Sequence, residues 1–351
     1  MRLALIPARV VLVVAVVVGG TMSGLPITFA CGLYDRMLAL YTGEVKPDGI
    51  DLNFLAIDHP REIFDRMANN LEFDAAEMSS SDYFRHAARG DCPMIAIPVF
   101  PSRVFRHGYI AVDKRVIREP KDLAGKRIGV PLYAMTAAIV IRGLLQHDYG
   151  VDFSDVTWVE GGMNDTKPHG APSKIPLVRP VKLELHSSTM SLNDRLESGD
   201  VAAVIGSGLP KAVKTNPNTG RLFPDYRKSE IEYYRKTKIF PIMHVVVLKR
   251  ELYEKHPFVA TSLYNACCDA KAIAYRKMRE LGTLRYMLPW MASEIEEIEQ
   301  VFGGDPWPYG IDANRPTLKA LVQYLADQAL IEKPVPIESL FAPVFGQASK
   351  P

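Results

Sequence analysis

The 351 residues of the chain suffice for two domains or two lobes, at roughly 150 residues each. With 48% hydrophobic and 23% charged residues the composition is that of a globular protein with sizeable cores, which excludes a disordered chain, a collagen-like repeat and a disulfide scaffold. The 42 basic and 40 acidic side chains leave a formal charge of +2, without the basic excess that nonspecific nucleic-acid binding draws on, so a charged ligand must be held by a local cluster.

The first 24 residues stand apart. Arg2 and Arg9 flank the start of an unbroken apolar run over 10–18, which has the shape of a signal peptide and is too short for a comfortable membrane span. Either this is an export signal, which makes the protein periplasmic, or translation starts at Met22 and opens a cytoplasmic protein. The second is the expectation, with no stable membrane association, because the pattern of the mature fold begins immediately afterwards.

From Pro26 onward, short apolar strands are expected over 26–31, 50–57, 73–78, 94–99, 108–112, 127–131, 156–160, 201–205 and 242–248. Helical patterns over 61–70, 82–89, 136–147 and 188–198 alternate with them. This alternation predicts an α/β protein with mainly parallel sheets. The stretch over 164–180, with four prolines, reads as a mobile surface loop. Beyond Leu248 the pattern is helical: one long amphipathic helix over 251–281, then helices near 293–302 and 317–329. The cysteines, Cys31, Cys92, Cys267 and Cys268, have no zinc-ligand spacing, so buried free thiols of a reducing compartment are expected and no metal site is.

Segments over 103–112 and 240–248 read as crossings between lobes. They assign 25–106 and 241–351 to lobe 1, with the C-terminal helices, and 107–240 to lobe 2. Three loops follow strands and open helices: Ser79-Ser80-Ser81, the stretch from Tyr133 to Thr136, and the stretch from Gly32 to Arg36. Free N–H groups at helix N-termini suit carboxylates; simple N-capping is the alternative for the serines. The densest chemical cluster holds Arg103, Arg106 and His107. Either arginine can clamp a carboxylate in a two-bonded fork or form a surface ion pair. His107 and His244 both lie on the crossings and titrate near neutral pH, as proton transfer requires; His244, inside an apolar run, also fits a hydrogen-bonded core residue. Gly206-Ser207-Gly208 follows a strand but lacks the third glycine of a nucleotide loop, and no HExxH, P-loop or GxSxG pattern occurs.

The strings over 121–130 and 192–205 resemble the second lobe of type II periplasmic-binding-protein folds. That resemblance implies two lobes joined by crossing strands, with a small-molecule cleft between them. A more specific resemblance is carried by Ala30-Cys31-Gly32-Leu33-Tyr34-Asp35-Arg36, Pro60-Arg61-Glu62-Ile63-Phe64-Asp65-Arg66-Met67, Glu77-Met78-Ser79-Ser80-Ser81, Phe100-Pro101-Ser102-Arg103-Val104-Phe105-Arg106-His107, Phe240-Pro241-Ile242-Met243-His244 and Trp307-Pro308-Tyr309-Gly310. Together, in this order over about 25–345, they resemble the 4,5-dihydroxyphthalate decarboxylase family.

Membership implies a binding-protein fold turned to catalysis: a carboxy-lyase making protocatechuate (3,4-dihydroxybenzoate) and carbon dioxide from 4,5-dihydroxyphthalate in bacterial phthalate catabolism. No organic cofactor is implied, since the hydroxyl para to the departing carboxylate can serve as electron sink. The partner is then a small aromatic dicarboxylate, held by Arg36, Arg103, Arg106, Ser79, Ser80, Ser81, Tyr133 and Thr136. His107 and His244 become base and acid, in an order the sequence leaves open. An arginine is frequent in the family where Gly208 stands here, so this loop is not expected to contact an anion. The competing reading is an extracytoplasmic solute-binding protein serving a transporter for aromatic acids. A homo-oligomer is the default expectation for either.

Overall fold

The computed structural model describes residues 24–172, 175–185 and 189–346; the apolar extension expected over 1–24 lies outside these but for Gly24. In chain order the elements are β1 (Leu25–Cys31), α1 (Asp35–Tyr41), β2 (Ile50–Ala56), α2 (Pro60–Asn70), β3 (Ala75–Ser79), α3 (Ser80–Ala88) and β4 (Met94–Ile97). A second group follows: β5 (Ile110–Asp113), β6 (Arg127–Val130), α4 (Thr136–Tyr149), β7 (Thr157–Glu160), β8 (Leu183–Glu184), α5 (Leu192–Ser198), β9 (Ala203–Ile205), α6 (Ala212–Thr215), β10 (Thr219–Arg221) and α7 (Tyr226–Thr237). The chain then continues through β11 (His244–Lys249), α8 (Arg250–Lys255), α9 (Phe258–Arg279), α10 (Met291–Phe302) and α11 (Arg315–Asp327).

The strands form two sheets, one of order β2-β1-β3-β11-β4 and one of order β10-β5-β9-β6-β7-β8. The first draws on chain segments before and after the second. Val245, Val246, Val247 and Leu248 of β11 are fully buried, which is why this strand reads as a continuous apolar run rather than an alternating one. The sheets are mixed, a correction to the expectation of mainly parallel ones. β1 runs parallel to β2 and β3, and β6 parallel to β7 and β9. By contrast, β11 is antiparallel to β3 and β4, and β5 to β9 and β10. β5 and β11 are the strands entered from the crossings, and each comes into its sheet against the direction of its neighbours.

The crossings pair with each other. Arg103 and Ile242 form an antiparallel bridge, the Val104 amide donates to the Pro241 carbonyl at 3.1 Å, and the Met243 and His244 amides both donate to the Ser102 carbonyl, at 2.8 and 3.2 Å. The single helix expected over 251–281 is two helices, because Pro257 lacks the N–H that would continue the first and α9 starts anew at Phe258. Helix α7 escapes a periodicity reading since it buries little beyond Tyr233. All four cysteines are buried and free. Among the described residues no helix is long and apolar enough to cross a membrane.

Candidate active site

Between the sheets lies a cavity of about 280 Å³, walled from one side by His59, Arg61, Phe64, Ser79 and His244 and from the other by Met135, Thr136, Ala137, His169 and Ser207, with Ser102, Arg106 and Met243 from the crossings between them. At its edge the N-termini of α3 and α4 meet. The Ser79 and Thr136 hydroxyls stand 3.1 Å apart, the Ser81 amide donates to Thr136 Oγ1 at 3.2 Å, and the Ser81 hydroxyl donates to the Ala134 carbonyl at 2.8 Å. Two helix starts are thereby turned toward one cleft; the first-turn amides of α3 are spent on Met243, Thr136 and Ser79, which leaves the start of α4 as the one that can donate to a ligand.

His244 is the best-supported side chain in the cavity. Its Nδ1 is 2.5 Å from Glu77 Oε1, and its ring meets the Phe64 ring edge-on with centroids 4.8 Å apart. Glu77 itself is fully buried on β3. It accepts from the Gly32 amide at 3.0 Å, the Tyr34 hydroxyl at 2.8 Å and the Cys31 thiol at 3.4 Å. Burial pushes its carboxyl up, but His244 and these donors outweigh burial and hold it below the usual range. An ionised Glu77 accepts only, so Nδ1 carries the proton and Nε2 is the nitrogen left for chemistry. Gly32 is required for this geometry: a Cβ there would come within 2.7 Å of the Tyr34 ring.

Two arginines reach the cavity. Arg61 is committed to Asp65 and, at 3.4 Å, to Asp82. Arg106 is 5% exposed, gives its Nε to Met243 Sδ at 3.2 Å, and among the described residues has no carboxylate at ion-pair distance. Burial lowers its pKa to about 10 although the charge of Glu230 reaches it, so it is charged at neutral pH and brings a positive charge to the cleft that is held by no salt bridge.

The expected site residues divide. His244, Arg106, Ser79 and Thr136 line the cavity, and Ser81 braces its edge. Ser80 is buried behind them with its hydroxyl unpartnered. Arg103 does not line the cavity: it ties the crossings by donating to the Phe240 carbonyl at 2.9 Å and the Pro308 carbonyl at 3.4 Å. Arg36 is also outside, between the rings of Tyr34 and Trp307, donating to the Pro101 carbonyl at 2.6 Å. Tyr133 turns away, its hydroxyl donating to the Gln328 carbonyl at 3.2 Å. His107, expected to face the cleft, is instead fully buried among Tyr149, Phe223 and Tyr233 with neither ring nitrogen partnered. The short helical turn at 107–109 swings it into lobe 2, and burial drops its pKa to about 4.

Glu77, Arg61, His59, His169 and Ser207 carry no role in the sequence reading. Glu77 had a legible signal, since a lone carboxylate in an otherwise apolar strand must have donors. His169 had none: it arrives on the loop over 164–180. Rather than ranging freely, that loop straps onto lobe 1. The Ala171 amide donates to Asp65 at 2.9 Å, Asn69 to the Ala171 carbonyl at 3.2 Å and Arg85 to the Ile175 carbonyl at 2.6 Å. Burial, and then the charge of Arg61, push the His169 pKa down.

Two α/β lobes, joined by a pair of crossing strands and enclosing an anion-ready cleft, define the periplasmic-binding-protein class of fold. The same fold is found in a periplasmic sulfonate-binding protein from Methylobacillus flagellatus KT, with a TM-score of 0.51 at 12% identity over 92% of both chains. The model of the NMT1/THI5-like family matches residues 48–178. The chain is 37% identical over 297 residues to a 4,5-dihydroxyphthalate decarboxylase of Comamonas testosteroni, covering 84% of this chain and 89% of that one. With one from Pseudomonas putida it shares 41% identity over 218 residues, 61% of this chain and 83% of that one. The chain belongs to the 4,5-dihydroxyphthalate decarboxylase family.

Proposed function

We propose that the cleft decarboxylates 4,5-dihydroxyphthalate to 3,4-dihydroxybenzoate and carbon dioxide, with His244 and Arg106 as its principal groups. The observation that carries this reading is an imidazole backed by a buried carboxylate and, lining the same cavity, a buried guanidinium with no carboxylate at ion-pair distance among the described residues, in a space sized for one substituted ring.

Arg106 and the first turn of α4 hold the retained carboxylate. His169, kept neutral by burial and Arg61, takes the proton of the hydroxyl para to the departing carboxylate. The phenolate pushes electrons through the ring to the carbon bearing that carboxylate, and this carbon takes a proton from His244 Nε2. The bond to the carboxylate then breaks, carbon dioxide leaves, the electron pair returns to the ring to restore aromaticity, His169 gives its proton back to the phenolate oxygen, and His244 is reprotonated from solvent. One proton is consumed per turnover. Glu77, hydrogen-bonded to Nδ1, fixes the orientation of the imidazole so that Nε2 is the atom that transfers the proton. The buried free thiols support a reducing, cytoplasmic setting.

The test is carbon dioxide release from 4,5-dihydroxyphthalate by the purified chain. His244→Gln is expected to lower kcat by about 10²- to 10⁴-fold, and Arg106→Met to act mainly on KM. Near-normal turnover in both variants would remove these roles. Tight binding of the compound without turnover in the unaltered chain would favour the solute-binding reading instead.

A further inference from the structure

A second cavity, of about 640 Å³, shares no lining residue with the cleft. Its wall includes Arg142 of α4, 1% exposed. Its Nε donates to Gln328 Oε1 at 2.6 Å and its Nη2 to the Tyr133 carbonyl at 2.7 Å, while Nη1 has no partner. The guanidinium lies over the rings of Tyr133 and Trp158, at 4.0 and 5.0 Å. Every one of these partners is neutral.

Among the described residues no carboxylate stands at ion-pair distance from Arg142. Glu160, whose charge reaches it, already accepts from the Tyr133 amide at 2.6 Å. Burial lowers the pKa of Arg142 only to about 10, so a charged group is buried with Glu160 acting on it only through charge and with Nη1 unpartnered, an arrangement that a bound anion would relieve. Arg106 in the cleft is buried on the same terms.

The remaining wall adds to both sides of the argument. Arg179, at the exposed rim, spends one nitrogen on two backbone carbonyls, of Ala326 and Asp327, at 2.8 and 2.6 Å. Lys182 is paired with Asp155. The wall's own carboxylates are engaged: Asp152 accepts from the Ser154 amide at 2.9 Å, and Asp327 pairs with His147 at 2.7 Å. Phe153 and Trp158, packed edge-on with their rings inclined at 61°, give the cavity an aromatic corner.

We propose that this cavity binds a small aromatic carboxylate, with its carboxylate on Arg142 and Arg179 and its ring against Phe153 and Trp158. The site is separate from the decarboxylation cleft and does not depend on the reaction assigned there.

Benzoate is the probe, titrated calorimetrically into the full chain carrying Arg106→Met, which silences the cleft as an anion site. A benzoate binding event is expected to survive in that background. Adding Ser154→Trp, which sets an indole at the rim from an exposed position, is expected to abolish it, and adding Arg179→Ala to weaken it about tenfold. Arg142→Met should also abolish it; should that variant not fold, the two rim substitutions carry the test. No event surviving Arg106→Met, or one untouched by both rim substitutions, would overturn the proposal. Equal competition by inorganic phosphate would overturn the aromatic class of the ligand.

Discussion

His244 and His107 show how burial alone assigns two imidazoles on neighbouring crossings to different work. His244 faces the cavity with a carboxylate behind it. His107 has only aromatic rings around it, and its pKa of about 4 makes it a liability in acid. The folded state holds it neutral while the unfolded chain protonates it near 6.5, so its favourable contribution is complete above about pH 6.5 and is lost progressively as the pH falls toward 4. The change amounts to on the order of 3 kcal/mol. His107→Leu is expected to flatten the dependence of the denaturation midpoint on pH across that window while leaving turnover within a few-fold; an unchanged slope, or a collapse of turnover, would contradict the placement. Glu77 acts in a lower window. Its folded pKa lies below the ordinary 4.5, so its contribution holds above that value and goes as the pH falls through the lower one.

At the scale of elements, α4 carries two sites. It brings Thr136 to the cleft and Arg142 to the second cavity, and its middle is pressed against α11. Gly143 makes that approach possible, since a Cβ there would stand 2.2 Å from the Tyr324 ring. Gly143→Ala is therefore expected to destabilise the fold by about 1–3 kcal/mol through overpacking, despite alanine's better helix propensity; a raised denaturation midpoint would refute the contact. Nine of the eleven strands and both crossings were legible in the sequence because buried strands spell apolar runs, whereas the short edge strands β8 and β10, with Glu184 and Arg221 in them, carry no such run. The meeting of α3 and α4 was legible in part, as polar residues where strands hand over to helices. Which way Tyr133 and Arg103 point was not, because that depends on Gln328, Phe240 and Pro308, more than 130 residues distant. His169 was hidden for the same reason: its loop has no periodicity, and what pins it is Asp65 in the other lobe.

For the whole molecule, the paired crossings place part of the cavity's polar lining at a pivot. Ser102, Arg106, Met243 and His244 lie on or beside the segments that link the sheets, whereas Thr136, His169 and Ser207 belong to lobe 2 alone. A lobe rotation that opens the cleft would carry the second set away while Glu77, fixed to His244 across β3 and β11, keeps the imidazole in place. Binding-protein architecture thus keeps part of the cavity wall fixed at the hinge while the rest moves with lobe 2.

The position of β11 also bears on how the chain comes off the ribosome. It is a late strand, yet it sits between β3 and β4, inside the first sheet. When synthesis has reached Arg221, the β5–β10 sheet has every strand it needs, while β4 has no neighbour to pair with. The nascent N-terminal half must wait, with an open strand edge, for the whole of lobe 2 to be made. Such long-range pairing is slow and exposes sticky edges. In refolding with pulsed hydrogen exchange, amides of β6, β7 and β9 should gain protection before those of β3 and β4; the reverse order would mean that the first sheet assembles without its late interior strand.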